Sequence, residues 1–145
     1  LRPLALSMVN PEAHCFVEID TMNGNLVFIP GSTMNNLGGL DQRYHHSFGD
    51  IDLGYRARKM GVALLLYSQV IGTAPENPPV SEVQKSKSIL DRIRYYFGPP
   101  NNIDQYAYFM WQHGSHLLFP LYVINTILRR CLFVLFPRLI YHRRL

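Results

Sequence analysis

An α/β layer followed by a helical tail is the architecture this sequence predicts, and three observations carry it. Residues 1–80 run strand, helix, strand; residues 81–145 turn to apolar, helix-like runs; and the Pro/Asn-rich stretch Gly72–Pro79 (GTAPENPP) separates the two. A chain of 145 residues, 48% hydrophobic and 12% aromatic, suits one folded domain with an appendage and is unlike a disordered segment. It opens on Leu1 with no charged-then-apolar leader, so a fragment or processed piece of a longer protein is expected.

The elements follow in order. Cys15–Ile19 (CFVEI) and Leu26–Ile29 (LVFI) read as two short strands around the turn-forming Thr21–Asn25 (TMNGN). Pro30-Gly31 ends the second strand, Ser32 caps a short helix, and Gly38-Gly39 breaks it. Ile51–Met60 reads as a helix with Asp50 and Asp52 in its first turn and Arg56, Arg58 and Lys59 in its last, matching the helix dipole at both ends. Gly61 is its left-handed stop, Ser47 a capping-box start, and Leu53, Ala57 and Met60 its buried stripe. Val62–Tyr67 (VALLLY) then reads as a buried strand. In the tail, Ser81–Phe97 reads as a helix stopped by Gly98-Pro99-Pro100, Asn102–His113 as a second, and Leu117–Tyr141 as a third apolar region.

Charge is unevenly placed. Residues 1–80 hold five basic against seven acidic side chains, and residues 81–145 nine against three, so a net −2 body carries a +6 tail. Such a tail suggests an anionic partner, nucleic acid or a membrane surface. Its longest apolar run, Leu117–Leu128, is twelve residues, short of the ~20 a span needs. Asn125 and Arg129, and Thr126 and Arg130, pair at i, i+4 on one side, with Ile124, Ile127, Leu128, Leu132 and Leu135 opposite. That suits a membrane-lying helix with Arg138, Arg143 and Arg144 near lipid phosphates, or a helix that packs on its own domain. Cys15 and Cys131 form neither a zinc spacing nor a disulfide framework, which fits a reducing compartment.

Chemistry concentrates in Tyr44–Gly61, YHHSFGDIDLGYRARKMG. A metal site would use His45, His46, Asp50 and Asp52, but i, i+2 carboxylates on a helix diverge by about 200° and converge only in a loop. A general base needs one carboxylate at a cleft mouth, within hydrogen-bond reach of a hydroxyl. Asp50, at a helix start after Gly49, supplies one. A solvated, well-capped surface helix accounts for the same residues without chemistry.

Asn23–Pro30 (NGNLVFIP), Gly38–Asp41 (GGLD) and Tyr44–Gly61, in that order and spacing, resemble segments of family 2 glycosyltransferases. The resemblance covers Thr21 to about Pro79 and, more loosely, the tail. It implies the C-terminal part of a GT-A, Rossmann-like domain over residues 1–80 and a helical, amphipathic, basic tail over 81–145. It implies sugar transfer from a nucleotide-sugar to a hydroxyl, with inversion, Asp50 being the general base. Asn23, Gly24, Asn25, His46, Gly49 and Asp52 match the surrounding acceptor-side motifs, and Arg43 is the candidate for an anionic substrate group. A divalent cation, magnesium or manganese, is implied for the full-length enzyme, with its ligands mostly in an upstream Asp-x-Asp half; none is assigned here.

The implied partners are a nucleotide-sugar donor and a glycan or lipid-linked acceptor, without nucleic acid; the tail adds an anionic membrane surface, and the expected place is the cytoplasm or, peripherally, the inner face of the cell membrane. The isolated piece is expected to be inactive. Two rivals stand beside this reading: a non-catalytic membrane-surface or assembly module using the tail, and a metal-dependent hydrolase holding an ion at His46 and Asp50. Trp111, with His113 and His116 nearby, reads either as a sugar-stacking element or as a helix anchor. Tyr95-Tyr96-Phe97 reads as packing, and Arg56 and Arg58 as solvated charge.

Overall fold

The structure, a computed structural model, describes residues 7, 9, 15–45, 47–69, 71–73, 88–98, 101 and 103–137. The chain divides into two compact units, Leu1–Thr73 and Ala74–Leu145. The boundary expected near Pro79 lies outside the described residues, as do the helix start at Ser81, Asn102 and the arginines beyond Pro137.

In the first unit, β1 (Phe16–Ile19) pairs antiparallel with β2 (Leu64–Tyr67), Phe16 opposite Tyr67 and Ile19 opposite Leu64. Between them lie α1 (Gly31–Leu37) and α2 (Gly49–Lys59). Leu26–Ile29 is not a strand: it has no ladder partner among the described residues, and Leu26 and Phe28 are exposed. β propensity marks a segment as able to extend; only a hydrogen-bonded neighbour makes it a strand. Nor is β2 buried on both faces. Leu65 and Tyr67 are exposed while Leu64 and Leu66 are half-buried, as a two-stranded sheet covered on one side requires.

Pro30, not Ser32, precedes the first turn of α1, its ring supplying φ −55° without a side-chain cap. Gly38 and Gly39 end the helix as expected, at φ 72° and 76°, their N–H groups returning to Asn35 and Met34 carbonyls. Gly61 stops α2 in the same left-handed region. The core joins Leu37 of α1 to Leu53 and Ala57 of α2, with Met22, Ile29, Met34 and Val62 packed around them. Met60 falls out of the expected stripe and is exposed, because the helix closes at Lys59 and Met60 is its C-cap.

Gly54 sits in the buried side of α2, where glycine costs about 1 kcal/mol of helix propensity. A Cβ there would lie 2.5 Å from Thr21 Oγ1 and 3.0 Å from Thr21 Cα. Its absence lets residues 21–22 press against the helix.

The second unit holds α3 (Ile89–Phe97), α4 (Ile103–His113) and α5 (Phe119–Leu135). Ser88 caps α3, its Oγ accepting from the Asp91 N–H at 3.2 Å and donating to Asp91 Oδ2 at 2.7 Å. Phe109 and Met110 of α4, Tyr96 of α3 and Val134 of α5 are buried, and the Tyr96 and Phe133 rings meet at 5.9 Å. The expected side of α5 that groups Asn125 and Thr126 with both arginines splits: Asn125 and Arg129 are exposed, Thr126 and Arg130 half-buried. Arg130 donates to the Tyr96 carbonyl at 2.9 Å and to the Asn101 carbonyl. Asn101 Nδ2 in turn donates to the Tyr95 carbonyl at 2.9 Å. These bonds supply partners for carbonyls at the C-terminal end of α3 that no helical N–H reaches.

Candidate functional site

Asp50 is positioned by the backbone before it. Phe48 adopts φ 69°, a left-handed conformation that costs a non-glycine residue about 1–2 kcal/mol. This turn leads the chain into α2, which starts at Gly49, two residues earlier than the expected Ile51. The Phe48 carbonyl accepts the Asp52 N–H at 2.7 Å. No side chain caps at Phe48, so Ser47 is not the cap the sequence suggests. Instead Asp50 Oδ1 accepts from the Ile51 N–H at 2.8 Å, satisfying one first-turn donor from inside the helix. Gly49 lies beside Tyr44, where a Cβ would meet Tyr44 Cβ at 3.4 Å, an ordinary contact.

The other carboxylate oxygen reaches across the fold. Asp50 Oδ2 accepts from the Gly24 N–H at 2.7 Å. A Cβ on Gly24 would sit 3.1 Å from Asp50 Cβ and 3.3 Å from Oδ2, so glycine permits the contact. A tight turn, Asn25 N–H to Asn23 carbonyl at 3.0 Å, presents that N–H. Thr21 buttresses the junction, its hydroxyl donating to the Ile51 carbonyl at 2.8 Å. Gly24, in the Asn23–Gly24–Asn25 turn, and Asp50, next to Gly49, are thus brought together from 26 residues apart. A carboxylate oxygen has two lone-pair sites. With these N–H groups bound, each oxygen keeps one site that no described residue is seen to fill.

Asp52 serves a different purpose. It is 3% exposed and pairs with Arg56, whose Nε donates to Asp52 Oδ2 at 2.8 Å. The same guanidinium donates to the Leu37 carbonyl at 2.6 Å and the Gly39 carbonyl at 2.9 Å. Arg56 is therefore not the solvated charge its place in the last turn suggests. It is a clamp that fastens the C-terminal turn of α1 to the first turns of α2, using the planar fork that lysine lacks. Arg58 does pair at the surface, with Asp20.

Arg43 is tied to Asp41. Its N–H donates to Asp41 Oδ1 at 2.9 Å, and its mostly exposed guanidinium lies 3.9 Å from the same oxygen. His46 lies outside the described residues. Among the described residues no three His, Cys, Asp or Glu side chains converge as a metal-binding group. Asp50 turns to Gly24 and Asp52 to Arg56, so the Asp-Ile-Asp pair does not fit a divalent cation.

In the second unit, Trp111 is half exposed and stacks on His116, centroids 4.4 Å apart and planes 6° apart, with Phe119 edge-on at 5.3 Å. His116 Nε2 lies 3.0 Å from the Trp111 carbonyl oxygen. One face of the indole is thus occupied by the turn into α5, as for a helix anchor.

Arg56, Thr21, Gly54 and Phe48 are the positioning residues that sequence reasoning missed. The Asp52–Arg56 spacing of four was a visible signal for the clamp; the other three left none, because each depends on a distant segment or on one backbone angle. Comparison with family models, with curated proteins and with solved structures finds no match.

Proposed function

We propose that this chain supplies the acceptor side of a sugar-transferring enzyme of the family 2, GT-A type, with Asp50 as its general base. The observation that carries the reading is the junction of Asp50 with the Asn23–Gly24–Asn25 turn. It holds a carboxylate at the start of a helix, oriented by the Gly24 and Ile51 N–H groups, with a lone-pair site left on each oxygen.

In the proposed reaction an acceptor hydroxyl oxygen attacks the anomeric carbon of a nucleotide-sugar. As the new C–O bond forms, the bond to the diphosphate breaks on the opposite face and the hydroxyl proton passes to Asp50, giving inversion. The orientation set by Gly24 fixes where the acceptor hydroxyl must sit, the geometric part of general-base catalysis. The Asp52–Arg56 clamp keeps the first turns of α2 in register with the Gly38–Gly39 turn. The acceptor fitting this reading is a glycan or lipid-linked hydroxyl of a cell-surface polysaccharide or glycolipid, reached at the cytoplasmic face of the membrane.

Asp50→Asn tests it. Asparagine keeps the shape and one acceptor oxygen but has no basic oxygen of comparable strength. In an enzyme containing this chain, nucleoside diphosphate release from a panel of nucleotide-sugars should fall by about 10²–10⁴-fold. Stability should fall by no more than about 1–2 kcal/mol. Turnover close to wild type would remove Asp50 from the chemistry.

A further inference from the structure

The outward side of α5 is apolar, as is the inward side, where Val123, Ile127 and Phe133 are half-buried. Leu121, Ile124, Leu128, Leu132 and Leu135 recur at helical spacing and are all exposed, and Leu117 just before the helix is exposed too. The inward side holds buried Val134 and the Arg130 guanidinium, fastened to the Tyr96 and Asn101 carbonyls. A helix packed on a protein core ordinarily turns charged and polar side chains outward. A contiguous apolar ridge of this length facing water marks an interaction surface.

We propose that this ridge is a docking surface for an anionic lipid bilayer, on which α5 lies in the plane of the interface. Charge argues for this occupant. Residues 105–145 contain five arginines and not one aspartate or glutamate. Arg129, exposed at the flank of the ridge, stands over the Phe133 ring at 5.9 Å. A bilayer surface offers an apolar layer and, just above it, phosphates to meet arginine. A second copy of this chain would bring the same acid-free, arginine-bearing face against itself, with nothing to neutralise it. The helix does not cross the bilayer: it is 17 residues long, against the ~20 a span needs. Among the described residues, no helix is long and apolar enough to do so. This inference stands apart from the catalytic reading, since it concerns only the second unit.

The experiment uses the full chain with Cys15→Ser, so that the exposed Cys131 at the edge of the ridge takes an environment-sensitive fluorophore. It is mixed with vesicles of phosphatidylcholine, with and without phosphatidylglycerol. Flotation with the anionic vesicles and a blue shift of the label are expected. Binding should be at least about tenfold weaker to neutral vesicles and for the Ile124→Ser, Leu128→Ser double variant. Failure to float with anionic vesicles, or binding indifferent to both the lipid charge and the double substitution, overturns the proposal. So does a lipid-independent dimer, seen by light scattering, that the double variant abolishes, since a second copy then covers the ridge. If the double variant loses helicity by circular dichroism, the label on the otherwise native chain still decides: an unshifted spectrum overturns the proposal.

Discussion

At the scale of single residues, the two carboxylates at the start of α2 are held in different ways. Asp52 is buried and bound by the Arg56 guanidinium, while Asp50, among the described residues, is held by two backbone N–H groups. Removing the clamp's cation should therefore be more damaging to the fold than neutralising Asp50. Arg56→Ala takes the guanidinium away from the buried Asp52 carboxylate and strips the Leu37 and Gly39 carbonyls of a donor, at a cost of about 3–5 kcal/mol. Urea denaturation of the chain measures it. Arg56→Lys should recover only part, because an ammonium group does not reproduce the fork that reaches Asp52 and two carbonyls together. If both variants unfold at the wild-type midpoint, the clamp carries no weight.

At the scale of elements, the close seating of α2 on residues 21–22 rests on Gly54. Gly54→Ala improves helix propensity yet places a methyl group against the Thr21 hydroxyl and backbone. The net effect should be a destabilisation of about 1–3 kcal/mol, the cost of overpacking. Gly54→Ala with Thr21→Ala, measured against Thr21→Ala alone, probes what relaxes: substantial rescue places the conflict at the hydroxyl, and none places it at the backbone.

The two ends of α2 show what was legible in advance and what was not. Asp50, Asp52 and the basic last turn announced the helix, and Gly61 its end, because these signals act within one turn. The left-handed Phe48 could not be read, since nothing local requires a phenylalanine to take that conformation. Leu26–Ile29 and Met60 misled for a related reason. Propensity and periodicity state what a segment can do; the missing ladder partner and the early C-cap are tertiary facts. Of the candidate site, the ordered motifs pointed to Asp50 and the Asn23–Asn25 turn, whereas the role of Arg56 depended on burial that spacing does not disclose.

At the scale of the whole molecule, each unit has a tyrosine that burial holds in its neutral form. Desolvation raises the Tyr96 hydroxyl above its ordinary value near 10, with a further push from Tyr95 against an opposing effect of Arg92. Desolvation raises Tyr55 in the same direction. Above pH ~10 the unfolded chain releases protons that the folded chain still holds. Stability is thus undiminished below the unfolded value and is lost as pH rises from there through the folded value. Chemical denaturation across that range should show the loss, and Tyr96→Phe and Tyr55→Phe should each reduce its slope. A slope unchanged in both variants would assign the alkaline loss to other groups. The same whole-chain view separates the two proposed activities: hydroxyl deprotonation belongs to the first unit and lipid contact to the second.

The bond between Gly24 and Asp50 has one more consequence. Gly24 is an exposed residue, so solvent would otherwise exchange its amide hydrogen freely. Its protection depends on the grip of the Asp50 carboxylate. The exchange rate and proton chemical shift of this one amide therefore report, without any turnover, whether that carboxylate is holding its turn or has let go. A bound molecule that draws Asp50 away would announce itself at Gly24, in a spectrum that needs no assay of activity.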